Sequence, residues 1–262
     1  VEPSTQVSLQ TTSEVILRAR DGPISARFGS QGRKRHRPIM RHRIADPDGP
    51  VHVSPHRPRR RYAVVMLRIE PARLHDMPGA YQTCLLAGEV GQDASGLYRD
   101  PDLLGHVYVG PYIAQGTGTQ LVVVDEEGSA GYLLSTDDTA SFEEWAEDAW
   151  WPPLRLRYPI IDDGSRDAEL IRLIHEPPRT PVSLVREYPA HLHIDLQDRA
   201  RGSGLGRALI ERLLTALRER EVVGVHLGVD EDNTNAIGFY EHLGFREVDR
   251  EPGGLLMGLR LG

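Results

Sequence analysis

The run Arg201-Gly202-Ser203-Gly204-Leu205-Gly206 constrains this chain more than any other stretch of comparable length. Just before it, His191–Gln197 alternates, with Leu192, Ile194 and Leu196 on one side and His191, His193 and Asp195 on the other. That period of two predicts a half-buried strand. Just after it, Leu205, Leu209, Leu213 and Leu217 recur every fourth residue, supported by Ile210 and Leu214, which predicts an amphipathic helix. Glycines between a strand and a helix let successive backbone N–H groups turn toward an anion, and the helix N-terminus adds favourable partial charge. The segment is shaped for a pyrophosphate. It is not a dinucleotide fingerprint, because Arg207 or Leu209 stands where the third glycine is needed in the two registers. It is not a P-loop either, since no Gly-Lys-Ser/Thr follows. On the loop alone, a tight strand-to-helix turn that holds no ligand stays open.

The rest of the chain supplies the frame. Ala63–Ile69 reads as a strand, and Arg73–Gly88 as a helix with Leu74, Met77, Tyr81 and Leu85 at three- and four-residue spacing. Leu121–Asp125 and Ala130–Ser135, separated by Glu126-Glu127-Gly128, read as a hairpin. Thr139 is placed to cap a helix that Pro152 and Pro153 stop after Trp150, and Ala168–His175 is a short helix. Val223, Val225, Leu227 and Val229 alternate as a strand. Asp232 or Asn233 then caps a helix whose inner face is Ala236, Ile237, Tyr240 and Leu243, ended by Gly244. Two strands flank Pro252-Gly253-Gly254. This alternation predicts an α/β (α+β) fold, a mixed sheet with helices on both faces.

Charge divides the chain in two. Residues 1–61 hold 13 Lys and Arg against 5 Asp and Glu, whereas residues 62–262 hold 18 against 33. The first part, with a candidate strand pair at Val7–Leu9 and Glu14–Leu17, reads as a basic, disordered extension, and residues 62–262 as one folded domain. An acidic body favours a cationic partner and repels nucleic acid; a nucleic-acid role is left to the basic head alone. No apolar run approaches the roughly 20 residues that span a bilayer, and no secretory signal is legible, so a cytoplasmic protein without a membrane partner is expected. The single cysteine, Cys84, excludes an intrachain disulfide and reads as a buried structural thiol rather than a nucleophile. His36, His42, His52 and His56 lack the spacing of a metal site, and no metal is expected.

Two signatures give the loop its family. Arg201-x-x-Gly204-x-Gly206 matches the first signature of GNAT acetyltransferases, and Asn233-x-x-Ala236-x-x-x-Tyr240-x-x-x-Gly244-Phe245 matches the second, in order and at compatible spacing. Within that superfamily, residues 100–260 resemble bacterial relatives of the C-terminal acetyltransferase-like domain of O-GlcNAcase. The likeness rests on Asp100-Pro101-Asp102-Leu103-Leu104-Gly105, Trp150-Trp151-Pro152-Pro153-Leu154 and Tyr188-Pro189-Ala190-His191-Leu192-His193-Ile194-Asp195. The chain is too short for an added glycosidase barrel, so none is expected. The resemblance implies a GNAT fold, a V-shaped, mixed but mostly antiparallel sheet of about seven strands, with the pantetheine arm of acetyl-CoA added in the gap like an extra strand. It implies that the backbone of Leu196 and Gln197 contacts that arm, and that Arg201, Gly202, Ser203, Gly204, Leu205 and Gly206 take the pyrophosphate. Asn233 would bond further along the arm. A backbone N–H near Leu196 would stabilise the oxyanion, and Tyr240 would stand near the thioester sulfur as general acid.

Acetyl transfer to an amine also needs a base. Asp195 and His193 share one face of the strand entering the groove. Asp195 is preferred, because a carboxylate also attracts a cationic substrate. The structural alternatives are a core tyrosine at 240 and a satisfied polar pair at 193 and 195. Asp137 and Asp138 are secondary candidates. Trp145, Trp150 and Trp151 read first as core and second as an apolar wall for the acceptor. The expected activity is acetyl-CoA-dependent N-acetyl transfer, by direct attack, to a primary amine on a small molecule or a protein lysine. The competing expectation is a non-catalytic acyl-CoA-binding module. The acceptor itself is set by residues 86–120 and 152–187, which carry no readable code.

Overall fold

A computed structural model describes residues 66–251 and 253–262. The basic extension, its strand pair, its histidines and the start of the first expected strand lie outside the described residues. Among these residues the strands are β1 (Arg68–Pro71), β2 (Gln120–Asp125), β3 (Gly128–Thr136), β4 (Ala190–Leu196), β5 (Gly224–Asp230), β6 (Arg246–Glu251) and β7 (Gly254–Arg260). The α-helices are α1 (Met77–Ala87), α2 (Leu103–Tyr108), α3 (Gly110–Gln115), α4 (Thr139–Trp145), α5 (Trp151–Arg157), α6 (Arg166–His175), α7 (Val182–Glu187), α8 (Leu205–Glu219) and α9 (Thr234–His242).

The strands form one sheet in the order β1-β2-β3-β4-β5-β7-β6. Every neighbouring pair is antiparallel except β4 and β5. The sheet separates two cores, and β4 shows how. Leu192 joins Leu209, Ile210, Leu213 and Leu217 of α8, Val225 of β5 and Phe245 in an aliphatic core. Tyr132 and Leu134 of β3 face the opposite way, into a core built with α1 to α6. The leucine stripe of α8 and the alternation of β4 and β5 therefore stand as the sequence predicts, except that Val223, expected in the second strand, precedes β5, whose pairing with β7 starts at Gly224, and is 56% exposed.

Prolines account for the main departures. The expected helix at 73–88 begins as a short 3-10 turn, Leu74–Asp76, and becomes α1 at Met77, with Pro78 in its first turn. Leu74 consequently lies outside the stripe and is 69% exposed. Pro152 and Pro153 do not stop the chain's helical course. Ala146–Trp150 forms a π-turn in which the Trp151 N–H still reaches Ala146 O, and α5 starts there with both prolines in its first turn. A proline costs a helix nothing where the N–H has no intrahelical acceptor. Asp138, not Thr139, caps α4, accepting from the Ser141 N–H at 3.1 Å. Short helices α2, α3 and α7 fill stretches that lacked a readable period. Among the described residues, no helix is long and apolar enough to cross a membrane.

Candidate active site

The site begins where two strands part. β4 and β5 run parallel, and their ladder consists of two pairs, Ala190↔Val225 and His191↔His226. The residues just before β4 secure this vertex. His226 Nδ1 donates to Tyr188 O at 2.8 Å. Thr139 Oγ1 donates to Pro189 O at 2.7 Å and lies 2.8 Å from His191 Nδ1. Its one proton being used, the hydroxyl must accept, so His191 Nδ1 carries the hydrogen and Nε2 accepts from Tyr112 Oη at 2.6 Å. Burial, reinforced by neighbouring imidazoles, pushes the His191 pKa well below its ordinary value, which keeps this arrangement neutral.

Beyond the vertex, β4 has a free edge. The Gln197 N–H donates to Ala130 O at 2.9 Å. Antiparallel alternation then turns the N–H and C=O of Leu196 and Ile194 away from β3, toward the gap left by β5. Gln197 itself is spent. Its C=O accepts from Ala200 N at 2.8 Å, and its side chain donates to Thr83 Oγ1 and Ser129 O. Of the two backbone contacts expected, Leu196 keeps an N–H for the gap, and Gln197 braces it. The Arg201 guanidinium is also committed, to Leu196 O at 2.7 Å, Asp198 Oδ1 at 2.9 Å and Gly91 O at 2.5 Å. Asn233 Oδ1 caps α9 by accepting from Ala236 N at 3.1 Å.

The glycine loop fits an anion. Gly202 and Gly204 have φ of +69° and +81°, and no atom lies within 4 Å of where a Cβ would stand at either. Such φ values disfavour any side chain, and the space in front is open. Gly204 precedes the 15-residue α8, whose first N–H groups have no helical acceptor. Ser203 Oγ donates back to Ala200 O at 2.6 Å, and Leu205 packs against the aliphatic core. A Cβ at Gly206 would touch Leu196 Cδ1 and Phe239 Cζ at 3.5 Å, so this glycine seats the helix close to the end of β4.

Two titratable groups near the gap influence each other electrostatically. Asp195 pairs with Tyr132 in the β3–β4 register, and Tyr132 Oη donates to its carboxylate. Burial raises the Asp195 pKa to about 7, opposed by the Tyr132 hydrogen bond and the charge of Arg201. Tyr240 is 8% exposed on the inner face of α9, its ring edge-on to Phe239 and Phe245. Burial first, and the Asp195 charge second, hold its phenol above the ordinary range. His193 packs against Tyr112 and Tyr108, and burial together with His226 depresses it to about 4. Cys84 is buried and its thiol pushed up by desolvation, in keeping with a structural role.

The secondary candidates are otherwise employed. Asp137 pairs with Arg220 at 2.6 Å, and Asp138 caps α4. Trp150 donates to His106 O at 2.9 Å and stacks on Trp145, whereas Trp151 lines a pocket. That pocket, about 870 Å³ including its open mouth, lies beside the vertex against His191, His193 and His226, with Tyr112, Phe142 and the segment 177–180 around it. Sequence reasoning missed Tyr112, Tyr132, Glu143 and His226. Only His226 left a signal, a histidine on the polar side of an alternating strand beside a His-x-His strand. Among the described residues, no group of three His, Cys, Asp or Glu is placed to hold a metal ion.

Residues 140–245 match the profile of the acetyltransferase (GNAT) family. Over 191 residues the chain is 27% identical to protein O-GlcNAcase of Rattus norvegicus, a match covering 71% of this chain and 20% of that protein. The chain thus spans about a fifth of the length of that relative and of its Mus musculus counterpart. It is 27% identical over 157 residues to mycothiol acetyltransferase of Corynebacterium glutamicum (strain R), covering 58% of this chain and 50% of that one. Among solved structures it superposes on SsHAT with a TM-score of 0.69 and 35% identity, over 75% of this chain and 98% of that chain.

Proposed function

The chain belongs to the GNAT acetyltransferase family, with acetyl-CoA as co-substrate, and from that premise we propose direct acetyl transfer to a primary amine, with Asp195 as base and Tyr240 as acid. The observation that carries this reading is the parting of β4 from β5 after His191↔His226, with the N–H groups of Ile194 and Leu196 turned into the gap. An extended arm with amide groups can add there as a strand does. In this reading Leu196 bonds the arm, the backbone of Arg201, Gly202, Ser203, Gly204, Leu205 and Gly206 takes the pyrophosphate, and Asn233 lies further along. Gln197 and the Arg201 side chain act behind them, holding the end of β4 in place.

An amine arrives as an ammonium and must lose a proton before it can attack. Asp195, with a pKa of about 7, is substantially ionised at neutral pH and accepts that proton directly or through one water. The N–C bond then forms, and a β4 N–H at the gap stabilises the oxyanion. As the C–S bond breaks, Tyr240 gives its proton to the departing thiolate and is reprotonated by the proton the new amide nitrogen sheds. One proton leaves Asp195 for solvent in each turnover. The raised Tyr240 pKa ensures that the phenol is protonated when it is needed. His193, at about 4, is the weaker base and serves the acceptor side.

Calorimetric titration of acetyl-CoA into the protein tests the cofactor half of the proposal. Binding that a Gly204→Asp, Gly206→Asp variant loses supports it; absence of binding by the unaltered chain sinks it. The domain boundary belongs to the same proposal: a chain starting at residue 62 is expected to bind acetyl-CoA as the full chain does.

A further inference from the structure

Building on the acetyl-transfer reading, we propose that the pocket beside the β4–β5 vertex is the acceptor site, and that it takes a small primary monoamine on an aromatic or alkyl stem bearing no second charge.

Glu143 and Arg179 are the charged side chains lining the pocket, apart from its histidines. They lie 3.7 Å apart, and Glu143 Oε1 already accepts from Thr180 N at 2.9 Å and Thr180 Oγ1 at 2.7 Å. Their opposite charges offset each other, so the pair offers no net charge to hold a second ammonium or a phosphate. The imidazoles are held neutral by burial. His191 uses both ring nitrogens at the vertex, and His226 uses Nδ1 on Tyr188 O. His193 differs. Among the described residues its ring makes aromatic contacts with Tyr108, Tyr112 and His191, and neither nitrogen has a protein hydrogen-bond partner. It presents one donor and one acceptor to the pocket.

The remaining surface is apolar. Tyr112 and Phe142 stack at 4.4 Å, and Trp151 is 7% exposed. Pro177 and Pro178 line the pocket beside a segment that Glu143 pins to α4 through Thr180. An aromatic or alkyl stem is stabilised by such walls, whereas an unpaired charge loses its hydration without compensation. Asp195 follows His193 by two residues on the same side of β4, which is roughly 7 Å along a strand. Asp195 lies beyond the pocket lining, so the amine must extend past His193 along β4 to reach the proposed base. Desolvation favours the uncharged amine, the form that attacks. The pinned 177–180 wall favours a small molecule over a polypeptide side chain, whose backbone would have to lie against it.

The test compares phenethylamine, spermidine, glucosamine 6-phosphate and an N-acetylated lysyl peptide as acceptors, following thiol release and product mass, with acetyl-CoA binding measured in parallel. Phenethylamine is expected to show a kcat/KM at least about 10-fold above each of the others. Leu184→Glu, on the half-buried α7 wall of the pocket, is expected to shift the spermidine-to-phenethylamine ratio by about 10-fold toward spermidine with acetyl-CoA affinity unchanged. His193→Asn, which keeps a donor and an acceptor, is expected to retain more phenethylamine turnover than His193→Leu. If acetyl-CoA binds but spermidine, the sugar phosphate or the peptide is preferred, or no amine turns over, the acceptor proposal is overturned and the cofactor reading stands. If acetyl-CoA does not bind, both fall.

Discussion

The two faces of the central strand β4 are built on opposite principles. Leu192 and its neighbours on one face meet Leu209, Ile210, Leu213, Leu217 and Val225, each of the five fully buried and none with a polar atom in its side chain. On the other face His191 and Asp195 are fixed by hydrogen bonds with Tyr112 and Tyr132, and His193 by ring packing against Tyr108 and Tyr112. The aliphatic face gains its stability from area, which is indifferent to angle, so any well-filled packing serves. The polar-aromatic face gains little net stability from its hydrogen bonds but would lose much if one partner were removed. One face specifies the fold, and the other places groups of unusual acidity at the gap.

Substitutions should separate the faces, the largest effect coming first. Asp195→Asn is expected to lower kcat by about 10²- to 10⁴-fold with acetyl-CoA affinity unchanged, measured by steady-state turnover and calorimetry. Because a base must be ionised, kcat/KM in the unaltered protein should rise with pH through about 7, and the variant should lack that limb. The stability effect of Asp195 runs the other way. Its folded pKa is raised, so its contribution is fully present below the ordinary 3.8 and lost as pH rises through about 7, and Asp195→Asn should flatten that stretch of the stability–pH curve. Leu213→Ala on the aliphatic face is expected to cost about 2–5 kcal/mol in chemical denaturation while kcat per folded molecule is kept. A loss of kcat as large as that of Asp195→Asn would break the comparison.

Smaller effects sharpen it. Tyr112→Phe leaves His191 Nε2 without its donor and is expected to cost about 1–3 kcal/mol, far more than the loss of one oxygen's packing. Tyr132→Phe removes a bond that favours the Asp195 carboxylate, so the limb in kcat/KM should move to higher pH, by about one unit or less. A shift to lower pH would mean that Tyr132 does not hold the ionised form.

Legibility in the sequence followed the same division. The stripe of α8 and the alternation of β4 and β5 were readable because burial by area leaves a period in the chain. The glycine loop was readable because a positive φ at Gly202 and Gly204 demands a residue type. The hydrogen-bonded face left little trace, since the partners of His191 come from residues 112 and 139, far away in sequence and bearing no period. Pro152 and Pro153 misled for a local reason: a proline ends a helix or begins one, and the π-turn at Ala146–Trp150 that decides between them has no signature of its own. The cap expected at Thr139 fell to Asp138 because both can cap, and Thr139 was claimed by Pro189 and His191.

The ladder of two rungs between β4 and β5 makes the sheet a structure in two leaves, four strands on one side and three on the other, stitched at one end. An acetyl-CoA arm added there, as proposed, would do more than occupy a site: it would supply the missing stitches. In the proposed binding mode, folding and co-substrate binding draw on the same backbone groups, so the free energy of closing the seam and that of holding acetyl-CoA are not separable quantities. Resistance of the protein to heat and to proteases should accordingly track the supply of its co-substrate, through mass action alone and without a second site or a moving domain.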